Sequence, residues 1–115
     1  MVIDPSKVNL KEKDIEDYLY HDPGSVLYGG GWTIHRWLAR QYKVNSGIID
    51  LLGCTGRNIV VVEVKNVDID EKAITQVCRY VNDIREIANN AYGRHYNQYP
   101  VSSPIVYGVL VGPSI

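Results

Sequence analysis

Gly47-Ile48-Ile49-Asp50-Leu51-Leu52 and Ile59-Val60-Val61-Val62-Glu63-Val64-Lys65 are the two stretches that decide how this chain is read. Both are short apolar runs rich in β-branched residues, the pattern of buried strands. Each also carries charge where a strand would hide its side chains. A desolvated charge costs several kcal/mol unless it is paired or bound to a metal. Twelve residues separate Asp50 from Glu63, and Gly53-Cys54-Thr55-Gly56-Arg57-Asn58 between the runs reads as a turn. The two runs therefore form a hairpin. Strand alternation puts Val61, Glu63 and Lys65 on one face and Val60, Val62 and Val64 on the other, toward a core. The hairpin brings Asp50 beside Glu63, side chains pointing the same way, in a register that a slip of one residue would break.

Two carboxylates at this separation repel, and one pKa should rise. A Mg²⁺ or Mn²⁺ ion between them reverses that, because it prefers oxygen ligands and keeps several waters and a substrate phosphate. Such an ion polarises a phosphoryl oxygen and lowers the pKa of bound water. Asp50 and Glu63 are the candidate ligands, with the Val64 carbonyl as a further one. Lys65 would orient the water or offset charge in the transition state. Phosphodiester hydrolysis is the chemistry that most often needs this set. The competing reading is a surface salt bridge from Glu63 to Lys65 on a solvated sheet face.

Working outward, Asn9 to Tyr20 reads as a helix, with Asn9 as cap and Glu12 at the capping-box position. Ile15, Tyr18 and Leu19 form its apolar stripe, and His21-Asp22-Pro23-Gly24 ends it. Glu16 beside that stripe is a candidate third carboxylate or a solvated helix charge. The first eight residues read as an arm, and Gly29-Gly30-Gly31 as a turn without phosphate-loop spacing. Thr33 to Val44 is extended, and Ser46 to Leu52 and Ile59 to Lys65 are strands. After a loop at Asn66 to Asp70, Glu71 to Asn89 is the clearest helix, with Ile74, Val77, Val81, Ile84 and Ala88 at helical spacing. Gln76 and Tyr80 lie four apart on one face of it. Asn90 to Ser103 reads as a polar loop and Ile105 to Val111 as a last strand. The order α-β-β-β-α-β places the chain in the α/β class, with a mixed central sheet flanked by helices.

The chain has 115 residues, 45% of them hydrophobic and 22% charged. That implies one domain spanning 1–115. No apolar stretch is long enough to span a membrane, and the N-terminus lacks the pattern of a signal peptide. Cys54 and Cys78 fit no zinc or redox spacing and read as free thiols of a cytoplasmic protein. A net charge of −1 announces no nucleic-acid partner globally, but His35, Arg36, Arg40, Lys43 and Arg57 are candidates for a local basic patch. Tyr92-Gly93-Arg94-His95-Tyr96-Asn97-Gln98-Tyr99 interleaves aromatic and basic groups. Its tyrosines would stack on bases and Arg94 would bind phosphate, or the tyrosines would pack on the domain or a second subunit.

Together these segments resemble the PD-(D/E)XK nuclease superfamily, and more closely the C-terminal nuclease domain of NucS/EndoMS-type endonucleases. Glu12 to Leu19 looks like the family's first helix with its glutamate. Arg40 to Val44 with Ser46 to Leu52 looks like its metal-aspartate strand, Val61 to Lys65 like its ExK strand, and Gln76 to Val81 like its QxxxY helix. Tyr107 to Ile115 resembles the strand that follows. The resemblance implies a restriction-endonuclease-like core and a Mg²⁺- or Mn²⁺-dependent DNA endonuclease. Asp50 and Glu63 would be metal ligands, Lys65 the catalytic lysine, Glu16 an acidic accessory and Gln76 a positioner of water or DNA. Arg40 would be a phosphate contact. Arg36, Lys43, Tyr80 and Arg94 complete the expected nucleic-acid surface. Ile49 stands where a PD proline would. The family's N-terminal DNA-binding and dimerisation domain and the helix beyond Pro113-Ser114-Ile115 find no counterpart in the sequence. A minimal member of this kind is expected from a virus or mobile element, and is expected to act as a homodimer. A binding or assembly module without useful catalysis, and an enzyme acting on RNA or a nucleotide messenger, are the alternatives.

Overall fold

β-Branched runs that cannot be solvated on either side build the centre of this structure, a computed structural model that describes residues 12–22, 34–66, 69–95 and 104–112. Helix α1 is Glu12–His21. Strands β1 (Arg36–Val44), β2 (Gly47–Thr55) and β3 (Asn58–Val64) follow. Helix α2 is Glu71–His95 and strand β4 is Val106–Val111. The four strands form one sheet in the order β1-β2-β3-β4. The first two pairings are antiparallel and β3 pairs with β4 in parallel. A parallel neighbour needs a crossover, and α2 supplies it.

One helix covers each face of the sheet. Ile15 and Leu19 of α1 pack on Leu51, Val60, Val62 and Val64. Val77, Tyr80, Val81 and Ile84 of α2 pack on Ile49, Leu52, Val61 and Val106. The sequence reading gave β3 one core face and one site face. Instead Val61 is as buried as its neighbours, because a strand covered on both sides reads as a continuous apolar run. Ile49, Leu51, Val60, Val61, Val62 and Val64 are fully buried, and each such side chain contributes about 1.5–3 kcal/mol of hydrophobic stabilisation.

Several boundaries differ from expectation for physical reasons. β2 runs on through Gly53, Cys54 and Thr55, and the hairpin turn shrinks to Gly56-Arg57, with Thr55 opposite Asn58. Gly56 at φ 58° supplies the positive angle such a tight turn needs. Gly53 belongs to the strand because a side chain there would strike Ile34 and Trp37. Strand β1 begins at Arg36, and Thr33, the expected start of the extended segment, lies outside the described residues. α2 continues to His95, so Asn90 to His95 is the end of a helix and not a loop. The polar composition of these residues is shared by loops and helix ends. Ile74 is 51% exposed, and Ala73 takes its place in the buried stripe. The Asp70 carboxylate accepts a hydrogen bond from the Ala73 N–H at 2.9 Å and caps the helix. The expected Asn9 cap, the N-terminal arm, the Gly29-Gly30-Gly31 turn and Tyr96 to Tyr99 lie outside the described residues. No described helix is long and apolar enough to cross a membrane.

Helix α2 comes close to the sheet at Gly108 in β4. A Cβ there would lie 2.5 Å from Val77 Cγ1 and 3.1 Å from Val81 Cγ2. Gly108→Ala is therefore expected to push α2 off β4 and cost about 1–3 kcal/mol, the usual penalty of overpacking. Urea denaturation of the two proteins measures it. An unchanged midpoint would mean that the helix is not seated on β4 as described.

Candidate active site

The sheet ladder breaks at Asp50. Between β2 and β3 the bridges run from Thr55–Asn58 to Leu51–Val62 and stop. Continuing the register puts Asp50 opposite Glu63. Between β1 and β2, Arg40–Leu51 and Tyr42–Ile49 are bridged, and the position between them, Gln41 opposite Asp50, is not. Asp50 thus loses a ladder partner on both sides. Buried backbone donors still need acceptors, and the two carboxylates serve. The Asp50 N–H donates to Glu63 Oε1 at 2.9 Å. The Val64 N–H donates to Asp50 Oδ2 at 2.8 Å. Each acid thereby fixes the other's strand.

Glu63 is 4% exposed. A solvated Glu63–Lys65 salt bridge is therefore excluded as the reason for the ExK triplet. Among the described residues no ion pair within 4 Å joins Lys65 to either acid. Burial pushes the Glu63 carboxyl up to about 7, against the hydrogen bond from the Asp50 backbone, and the Asp50 charge pushes the same way. Asp50 is also raised, first by burial, with the Val64 hydrogen bond opposing. The positive charge of Lys65 pulls both back down. Burial thus makes both adjoining acids resist ionisation.

Glu16, 5% exposed, reaches the same region from α1. It does not close a three-carboxylate ring, and no group of three metal-binding side chains is assembled among the described residues. Arg40 takes Glu16 Oε2 at 2.7 Å through Nε and Nη2, and Nη2 also holds Asp17. The Arg40 guanidinium lies 5.1 Å from the Tyr20 ring centroid as well. These contacts pull the Asp17 carboxyl down and raise Arg40. Gln41 Nε2 donates to Glu16 Oε1 and, at 3.4 Å, to Asp50 Oδ1. Glu12, Lys13, Glu16, Asp17, Arg40, Gln41 and Asp50 line a cleft of about 740 Å³. It holds four acids against two bases.

On the other face, Gln76 Nε2 donates to the Ser46 carbonyl at 3.3 Å. Tyr80 is buried, bonded to Gln76 and to the Ile48 backbone. Its hydroxyl would lie 2.7 Å from a Cβ at Gly47, where φ is 147°. Burial raises the phenol pKa, and Glu63 nearby adds to that. The pair thus props the β1–β2 turn behind the acids, with Asp83 Oδ2 accepting the Ser46 N–H at 3.0 Å. A buried Tyr80 is a support and not a surface contact.

The basic residues do not form one patch. His35 Nδ1 accepts the Gly56 N–H at 2.9 Å, which puts His35, Arg36 and Arg57 at one end of the sheet. Lys43 stands near the other end, beside Asp83 and Glu86, roughly 23 Å from Arg36 along an extended strand. Arg40, between them, is engaged by α1. Arg94 lies in the last turn of α2. Cys54 and Cys78 are free thiols. Gln41 has no role in the sequence reading. Counting outward from the Asn45-Ser46 turn would have placed it across from Asp50.

A family described as the endonuclease NucS C-terminal domain matches residues 11–115. Endonuclease NucS of Sulfolobus acidocaldarius is 36% identical over 84 residues, which is 72% of this chain and 32% of that protein. Endonuclease NucS of Methanocaldococcus jannaschii is 29% identical over 97% of this chain and 37% of its own length. A repair endonuclease from Pyrococcus abyssi superposes with a TM-score of 0.63 at 27% identity, over 91% of this chain and 38% of that one. An EndoMS–dsDNA complex gives 0.63 at 28% identity, over 90% of this chain and 36% of that one. The viral or mobile-element source expected from the chain's length finds no support in these relatives. The chain spans about a third of the length of the relatives it matches, and within that span it belongs to the family of the endonuclease NucS C-terminal domain.

Proposed function

We propose that this chain is a divalent-metal-dependent nuclease domain that hydrolyses DNA phosphodiester bonds at internal positions. The observation that carries this reading is the opposed pair Asp50 and Glu63, set into the broken ladder with Lys65 beside them. Family membership and the likeness to an EndoMS–dsDNA complex support DNA as the substrate.

The donor set suits Mg²⁺ or Mn²⁺. Its atoms are carboxylate oxygens with the Val64 carbonyl adjoining, and a bound cation would offset the burial that raises both acids. Asp50, Glu63 and Val64 would hold the ion. When bound, it would polarise the scissile phosphate and make water a better nucleophile. Lys65 stands next to both acids, where it orients the attacking water and offsets charge gathering on the phosphate. Glu16 steadies the cleft wall on the α1 side. Gln76 and Tyr80 keep the β1–β2 turn, and so Asp50, in place. An acid-rich cleft repels a phosphate backbone, so DNA should enter only with a cation present. Arg36, Lys43 and Arg94 are proposed backbone contacts. Their separation on one chain favours a homodimer that gathers them along one duplex.

Labelled single- and double-stranded DNA incubated with Mg²⁺ or Mn²⁺ should be cut internally, with no cutting in EDTA. Asp50→Asn and Lys65→Ala should each lower the rate at least about a hundredfold. Cutting that persists in EDTA or in Asp50→Asn would refute this assignment, and preferential cutting of a matched RNA would move the substrate to RNA.

Metal-free stability should follow Glu63. Its carboxyl titrates near 4.5 when unfolded and near 7 when folded. Between those values the folded state holds a proton that the unfolded state has lost, so stability falls as pH rises through the window and levels off above it. In EDTA the Tm should be lower at pH 8 than at pH 5, and Glu63→Gln should flatten that slope. Mn²⁺ at pH 8 should raise the Tm of the wild type and not of Glu63→Gln. Parallel slopes for the two proteins would show that Glu63 is not the titrating group.

A further inference from the structure

Two independent features single out Gln41. Its φ of 52° is the only positive value at a non-glycine among the described residues, and it falls in the middle of β1. A residue with a Cβ rarely adopts left-handed backbone, and where the surroundings impose it the position tends to be functional. Here the bridges on either side, Arg40–Leu51 and Tyr42–Ile49, impose it. The second feature is the carboxamide. Nε2 contacts Glu16 Oε1 on α1 and Asp50 Oδ1 on β2. An amide NH₂ has two hydrogens, one for each carboxylate.

We propose that Gln41 is a positioning residue of the carboxylate site, tying Glu16 to Asp50 through its left-handed backbone and neutral two-donor amide so that a divalent cation meets acids already set in place. This rests on the metal-dependent reading above. The side-chain type fits the task. Two like charges need a donor between them, and a lysine or arginine there would supply a positive charge that competes with the ion. Gln41 donates without charge. Its neighbour Arg40 shows the contrast, since it neutralises Glu16 and Asp17 on the outer side of α1.

The test uses the whole chain as wild type, Gln41→Gly and Gln41→Asn. Glycine accepts the left-handed backbone and lacks the amide. Asparagine tolerates that backbone and is one methylene too short to span the two acids. Melting in EDTA and calorimetric titration with Mn²⁺ are measured for each. Each variant leaves the buried Glu16 Oε1 without that donor and should melt somewhat lower in EDTA, while at temperatures where it is fully folded its Kd for Mn²⁺ weakens about 10- to 100-fold, as when a residue that orients metal ligands is lost. Unchanged Mn²⁺ affinity in both variants would overturn the proposal. So would weakened affinity confined to temperatures at which the variants are partly unfolded, because Gln41 would then serve the fold alone. Wild-type protein that binds no Mn²⁺ would overturn the metal-dependent reading itself, and this inference with it.

Discussion

Everything at the centre of this structure follows from one missing pair of backbone bridges. A sheet interior must satisfy each N–H and C=O, and at Asp50 the ladder to β1 and the ladder to β3 both lapse. Carboxylates replace the absent carbonyls as acceptors. That substitution explains why two acids are tolerated in strands that are otherwise apolar. It also explains why neither can be exchanged for a hydrophobe without orphaning a buried donor, at a cost of about 1–3 kcal/mol. The backbone holds the acids still, and the proposed chemistry would draw on that same rigidity.

The two helices hold this opening from opposite sides by different physics. α2 works mainly by packing. Val77 and Val81 seat on Gly108, and Tyr80 fills the space over Gly47. A few polar contacts from Gln76 and Asp83 then fix the β1–β2 turn. α1 works mainly by charge. Arg40 gathers Glu16 and Asp17, and the Trp37 indole donates to the Leu19 carbonyl at 3.2 Å. The packed side sets where Asp50 lies along its strand. The charged side sets which acids stand across the cleft from it.

Much of this was legible in the residues. Charges inside β-branched runs announced Asp50, Glu63 and Lys65. The turn between the runs gave the hairpin, and strand order with a long amphipathic helix gave a mixed α/β sheet. What stayed hidden depends on contacts between segments distant in sequence. Glu16 looked free to join a ring of acids, but Arg40 twenty-four residues away takes one of its oxygens. Gln76 looked like a positioner of water or DNA, yet its amide faces a turn thirty residues back. The basic residues looked clustered because they are close in sequence, and an extended strand spreads neighbours apart. A left-handed residue inside a strand has no compositional signature when it is glutamine, so Gln41 gave no warning.

The mode of attachment of α1 has a consequence for dynamics. The ten described residues of α1 are too few for a helix to persist alone in water. It docks through Ile15 and Leu19 and a knot of partly solvated ion pairs. A segment held this way opens at less cost than the doubly covered strands beneath it. Amide exchange should therefore divide the molecule into a slow sheet and a fast first helix. Glu16 would come and go with that helix while Asp50 and Glu63 stayed put. Because salt screens exposed charges, the lifetime of the Glu16–Gln41–Asp50 connection becomes a property of ionic strength, one that a static picture of the carboxylates does not convey.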